Sequence, residues 1–198
     1  MLVGLVLSAA LLAPADEWRE SLQRMAAAEV LCGEFEQLRV LPQLERPLRS
    51  TGRFIASRSR GLVWVQEAPF DLVLVVDDSR LTQQVKQQSP VTITAEEQPE
   101  IFYFTRVLLQ VFGGDDARLA EHFEISPGAG GDGWSVVLLP KSELLGKVFQ
   151  GLTLAGTAFL ESLDIKDGAG GSLLIRLKGI TECTGTLSDA DQHLFELR

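Results

Sequence analysis

His122 and His193, Cys32 and Cys183, and the acidic pairs Asp77-Asp78 and Asp115-Asp116 are the side chains of this sequence with the most evident capacity for chemistry. A histidine can act as a base beside a Ser or Cys nucleophile, or ligate zinc in an H-E-x-x-H helix. Neither histidine stands in such a motif, there is no G-x-S-x-G, and no acid pair sits in an apolar run. The Asp pairs read as turn and helix-start residues, since the Asp side chain bonds its own backbone. Two Gly-rich stretches, 127–133 and 167–171, share the composition of phosphate cradles, but neither opens a helix through a Lys-Ser or Lys-Thr pair, so both read as hairpin loops. These residue types point away from an enzyme and call for no cofactor or metal.

The two cysteines are an even pair, and a disulfide between them would join the end of the first helix to the C-terminal segment. It would close a loop of roughly 150 residues and contribute about 4–5 kcal/mol. Two buried free thiols remain the alternative. The disulfide presupposes an oxidising compartment, and the N-terminus supports one. Leu2 to Leu12 is an apolar run followed by the small-x-small triplet Ala13-Pro14-Ala15. Such a run is too short to span a bilayer, which takes roughly 20 residues. Residues 1–15 therefore read as a cleaved secretory signal, though without a basic n-region, and the mature chain is expected to begin near Asp16. No Cys follows the apolar run where lipid attachment would occur, and Cys32 follows the bulky Leu31, so a soluble protein is expected rather than an anchored one.

The net charge of −9 and a pI near 4.8 exclude a phosphate-backbone partner such as nucleic acid, which requires clustered Lys and Arg. Arg58 and Arg60 are embedded among hydrophobic runs and form no basic patch. With 45% hydrophobic residues and no long linker, residues 16–198 read as one domain, expected to be monomeric.

The elements that would position these residues centre on 52–81. Three strand-like runs, 53–57, 62–66 and 72–76, are broken by Arg58-Ser59-Arg60-Gly61 and Ala68-Pro69 and closed by Asp77-Asp78, which predicts an antiparallel meander. A sheet with one wet face alternates polar and apolar residues. This stretch carries too many apolar residues for that, so apolar cover is expected on both faces. Ahead of it, Trp18, Leu22, Met25, Ala26 and Val30 predict an amphipathic helix over 16–31, and 34–41 reads as a strand. Behind it, 81–85 and 91–94 are short polar strands suited to a protected sheet edge. Pro99 and Gly113-Gly114 bracket a helix over 99–112 that is apolar on more than half its circumference, so it is either sandwiched or faces a ligand. A third helix is expected over 115–122, then strands at 122–126, 134–139, 148–155, 157–164, 173–178 and 194–197. Ten or eleven antiparallel strands must curl, and helices on one face would plug the concave side.

Phe35-x-Gln37, Gly52, Arg58, Trp64, Pro69, Asp77 and Leu81 occur in an order and spacing that resembles the outer-membrane lipoprotein carrier, LolA-like, proteins, and Leu138-Leu139-Pro140-Lys141 is similar to a later part of that pattern. The resemblance covers roughly 34–178. It implies an α+β fold: an unclosed β-barrel with a helical lid over an apolar cavity. It also implies a periplasmic carrier of lipoprotein acyl chains or a related lipid, working between membrane-bound donor and acceptor proteins. Phe54, Leu62, Trp64, Leu72 and Leu74 on the sheet, with Phe102, Phe104, Leu108 and Leu109 on the lid, are the candidate lipid contacts. Each could equally be core. By resemblance, Arg58 bonds lid carbonyls and holds the empty carrier closed, the alternative being a solvated turn arginine. The chain departs from the pattern after Leu81, with Thr82-Gln83-Gln84 where the family carries aromatics. That leaves open a carrier for a glycolipid or acylated product, or a lipoprotein-sensing or protein-binding module on the same fold.

Overall fold

The computed structural model describes residues 14–129 and 132–197. The expected leader lies almost wholly outside the described residues. Helix α1 runs Pro14–Ala27, with Asp16 and Glu17 in its first turn and Arg24 in its last, matching the helix dipole. Trp18, Leu22 and Met25 form its buried stripe. The helix stops four residues before the periodicity suggested. Val30 and Leu31 instead open strand β1 (Val30–Val40), because they bury in opposite directions, Leu31 into the large core and Val30 into a second cluster behind the sheet. Only an extended backbone sends adjacent side chains to opposite faces.

Ten further strands follow: β2 (Leu48–Ser57), β3 (Gly61–Ala68), β4 (Leu72–Val76), β5 (Arg80–Val85), β6 (Val91–Thr94), β7 (Phe123–Pro127), β8 (Trp134–Pro140), β9 (Phe149–Gly156), β10 (Leu160–Asp167) and β11 (Ser172–Glu182). They make one antiparallel sheet in the order β6-β5-β4-β3-β2-β1-β11-β10-β9-β8-β7. Strands β1 to β6 and β7 to β11 each pair in sequence order, and the two halves join where β1 pairs β11, Leu31 opposite Glu182 and Val40 opposite Ser172. Strands β6 and β7 are edges, so the sheet is not closed into a barrel. The β2–β3 turn depends on Gly61 at φ +93°, where a Cβ would lie 2.1 Å from the Val76 carbonyl oxygen.

Helices α2 (Pro99–Phe112) and α3 (Asp116–His122) join the two halves of the sheet. Asp115 caps α3 by accepting from the Arg118 amide, and Asp77 Oδ1 accepts from the amides of Ser79 and Arg80 in the β4–β5 turn. Two six-residue helices have no counterpart in the sequence pattern. Helix α4 (Glu143–Val148) is capped by Ser142, whose hydroxyl accepts from the Leu145 amide. Helix α5 (Asp189–Leu194) is capped by Ser188, which accepts from the Asp191 amide and donates to the Asp191 carboxylate. The expected strand at 194–197 is therefore the end of α5 and a following turn.

The core divides at the sheet. On the concave face Phe35, Phe54, Leu62, Trp64 and Val76 pack against α1 and α2. Behind it, Val30, Ile55, Val63 and Val75 are covered by Cys183, Leu187, Leu194, Phe195 and Leu197. The surplus of apolar residues over 52–81 is thus absorbed by two layers, the second being the C-terminal segment. That segment is held by the Cys32–Cys183 disulfide, with Cα atoms 5.9 Å apart, which ties β1 to the residue just after β11. Arg53 to Asp191, at 2.7 Å, and the Arg60 guanidinium 4.2 Å above the Phe195 ring fasten it further.

Candidate functional site

A cleft of about 250 Å³ opens where the C-terminal ends of α1 and α2 meet the β2–β3 and β4–β5 turns. Its apolar wall is Met25, Leu31, Leu62, Leu109 and Phe112, and its polar lip is Arg58, Arg60, Asp77 and Asp78. The wall is assembled by register: Leu62 on β3 lies opposite Ala56 on β2, and Ala56 opposite Leu31 on β1, so three neighbouring strands present one surface.

The sheet candidates share that concave face. Phe54 lies opposite Trp64, and Trp64 opposite Leu74. Below the cleft the face is filled by protein. Trp64 is 7% exposed and stacks on Phe35 with ring centroids 3.8 Å apart, and Phe54 meets Phe112 at 5.1 Å. Phe102 and Leu108 of α2 are buried in the same layer, while Phe104, Leu109 and Leu74 are half-buried against it. Leu72 is half-buried near the far end of β4, opposite Gln66. Of the ten candidates, Leu62, Leu109 and Arg58 line the open cleft, six form the packed interior beneath it, and Leu72 joins neither. Met25, Leu31 and Phe112 line the cleft and were not among the candidates. Met25 and Phe112 were legible as helix stripes, whereas Leu31 was hidden by the misplaced helix end.

Arg58 stands at the lip, exposed, with its amide donating to the Glu29 carbonyl at 3.1 Å. Its guanidinium makes no hydrogen bond or ion pair among the described residues, so the bonds to lid carbonyls that the resemblance implied are not made here. The lid has its own unmet demand. Ser21 Oγ on α1 and Gln110 Oε1 on α2 are buried without a hydrogen-bond partner among the described residues.

His122 is exposed at the end of α3, and His193 Nδ1 lies 2.8 Å from Glu196 Oε2 on the surface of α5. Neither is near the cleft wall. Among the described residues no group of three His, Cys, Asp or Glu side chains is placed to hold a metal, and no helix is long and apolar enough to cross a membrane.

An open antiparallel sheet with helices across its concave face leaves a cleft with an apolar wall and a polar lip at their junction. The chain belongs to the outer membrane lipoprotein carrier protein LolA-like family, whose profile matches residues 12–187. LolA-like proteins are periplasmic carriers that bind lipoproteins or lipids. No curated protein sequence matches the chain. Among solved structures it is similar to an outer membrane lipoprotein-sorting protein domain from Vibrio parahaemolyticus (8% identity, 93% of this chain and 99% of that one, TM-score 0.49). It is also similar to a LolA superfamily protein from Nitrosomonas europaea (9% identity, 90% and 96%, TM-score 0.47). A third similar structure is LprF from Mycobacterium bovis (14% identity, 84% and 92%, TM-score 0.39).

Proposed function

We propose that this chain is a periplasmic carrier that receives the acyl chains of a lipoprotein, or of a related lipid, between the concave face of the sheet and helices α1 and α2, and moves them from inner to outer membrane. The observation that carries the reading is the cleft at the end of the helix layer, continuous with a buried aromatic and aliphatic surface. Exposing an acyl chain costs about 0.8 kcal/mol per methylene, so crossing water requires such a surface. Sites for drug-sized ligands run roughly 300–1,000 Å³. The cleft is smaller, so the account requires α2 to lift from Phe54 and Trp64 as cargo enters.

The same reading takes residues 1–15 as a secretory leader, removed before the carrier domain folds, and has the carrier work as a monomer between a membrane-bound donor and a membrane-bound acceptor. One feature favours a cargo with a polar head: Gln83 lies opposite Leu74 on the concave face, in the segment where the family carries aromatics. A glycolipid or acylated product is the corresponding second reading. Native mass spectrometry of protein purified from its own periplasm tests both. A bound acylated peptide supports the first, a bound free lipid or glycolipid supports the second, and protein with no acyl adduct after gentle isolation contradicts carriage.

A further inference from the structure

The hairpin connections divide the loops between two rims of the sheet. One holds the turns at 58–60 and 77–79 and the cleft. The other holds the connections at 41–47, 69–71, 86–90, 141–148 and 168–171. Every large hydrophobic side chain exposed among the described residues lies at the second rim. Val40, Leu44 and Leu48 flank or occupy the β1–β2 connection, and Phe70 is in the β3–β4 turn. Val91 opens β6, and Leu139 and Leu144 stand at either side of the turn into α4. These are not marginal exposures: Phe70 is 47% exposed, Leu48 52% and Leu144 55%. Scattered single apolar residues need no explanation, but their confinement to one end of an elongated sheet does.

Charge is divided along the same axis. In the loops that carry the apolar tips are Arg46, Lys86, Lys141 and Lys147, all exposed, against Glu45, Asp71 and Glu143; at the strand ends beside them Lys166 and Glu67 are exposed, and Arg39 and Asp167 pair with each other at 3.0 Å. Glu121 and Glu124 are at the outer corner of this rim, by edge strand β7. The cleft rim has Glu29, Asp77, Asp78, Glu96, Glu97 and Glu182 around its arginines. In a chain of net charge −9 the apolar end is therefore close to charge balance, while the cleft end carries the acidic excess.

We propose that this rim is a membrane-docking surface, which seats the loop tips at the headgroup–acyl boundary of a bilayer containing anionic lipid, whatever the cleft holds. Apolar tips interleaved with lysines bind such an interface by buried apolar area and by attraction to anionic headgroups together. A protein groove would be expected to select one contiguous patch, whereas apolar tips on four separate connections along one rim suit a plane. The acidic cleft rim would be held away from the surface, which orients the molecule.

The test is vesicle flotation of protein taken from the compartment where it accumulates, its N-terminus read by mass spectrometry. Vesicles are phosphatidylcholine with or without 30% phosphatidylglycerol. Expected are partitioning onto the anionic vesicles, weakening as salt rises from about 0.1 to 0.5 M, and at least a tenfold loss in the variant Leu44→Ser, Phe70→Ser, Leu144→Ser with an unchanged melting temperature. Hydrogen exchange on the vesicles should slow in 41–48 and 69–71 and not in 58–60 or 77–79. Absence of partitioning, partitioning undiminished in the triple variant, or protection of the cleft turns instead would each overturn the proposal. The last outcome would still leave carriage by the cleft standing.

Discussion

Reducing the Cys32–Cys183 disulfide should loosen one face of the sheet before the other. The bond spans a sequence separation of 151 residues. In the chain-entropy description a loop of that length restricts the unfolded state by about 5 kcal/mol at 25 °C, with measured losses for such bonds of about 2–5 kcal/mol. For a chain of this size a urea m-value of about 2 kcal/mol/M converts a loss of 3–5 kcal/mol into a midpoint lower by about 1.5–2.5 M. The bond also anchors the segment that covers Val30, Ile55, Val63 and Val75, so the reduced protein should expose the back of the sheet. Urea titrations of Cys32→Ser/Cys183→Ser against the oxidised protein, with hydrogen exchange on both, measure the two effects. Equal midpoints would refute the entropic argument. Protection lost first in α1 and α2, rather than in 184–197, would refute the strap.

Phe112→Ala removes a ring that touches Phe54 and lines the cleft. Its cost should be about 3 kcal/mol, the low end for a buried Phe, lowering Tm by roughly 6–12 °C, while a fluorescent hexadecanoyl probe binds more tightly; weaker probe binding would contradict the cleft as the entry. Arg58→Leu, at an exposed position, should change stability by no more than about 0.5 kcal/mol yet lower cargo transfer between donor and acceptor membranes, and unchanged transfer would leave Arg58 a solvated turn residue. Burial raises the pKa of Asp191, but hydrogen bonds from Ser188 and Arg53 and the Arg53 charge outweigh it and hold the carboxyl below its ordinary value of 3.8. A lowered folded-state pKa gives stability that is present above the unfolded value and lost as pH falls through the folded one. The Tm deficit of Asp191→Asn should accordingly be full at pH 7 and shrink as pH falls through and below the ordinary carboxylate range, and a deficit independent of pH would show that the charge of Asp191 contributes nothing.

Where a segment's own pattern decides its structure, the sequence was informative. Helix α2 occupies the span set by Pro99 and Gly113, and β4 and β6 have the bounds their residues suggested. Asp77 and Asp115 serve the turn and the cap that short acidic side chains favour. The excess of apolar residues over 52–81 foretold a second covering layer without revealing that Phe195 and Leu197 supply it. What local pattern could not reveal depends on distant partners. Leu31 continues the helical spacing of α1 and is claimed by β1 because β2 and β11 lie on either side of it. Helices α4 and α5 are single turns whose signal is one Ser followed by acids. The position of Arg58 at the lip was readable from its turn, but the absence of a hydrogen bond or ion pair from its guanidinium among the described residues was not. The packed state of Trp64 against Phe35 follows from three strands coming together, which no spacing within one of them encodes.

The central claim is that a hydrocarbon chain displaces α2 and lies against the concave face. Trp64, buried there at 7% exposure, can report it directly in a variant whose Trp18 and Trp134 are replaced by Phe and whose fold is verified by its melting curve. Titration with a lipid carrying a dibrominated acyl chain should quench Trp64 emission to a plateau at one lipid per protein. Emission that stays unquenched while native mass spectrometry shows the lipid bound, or the failure of any acyl lipid to bind, would contradict the account.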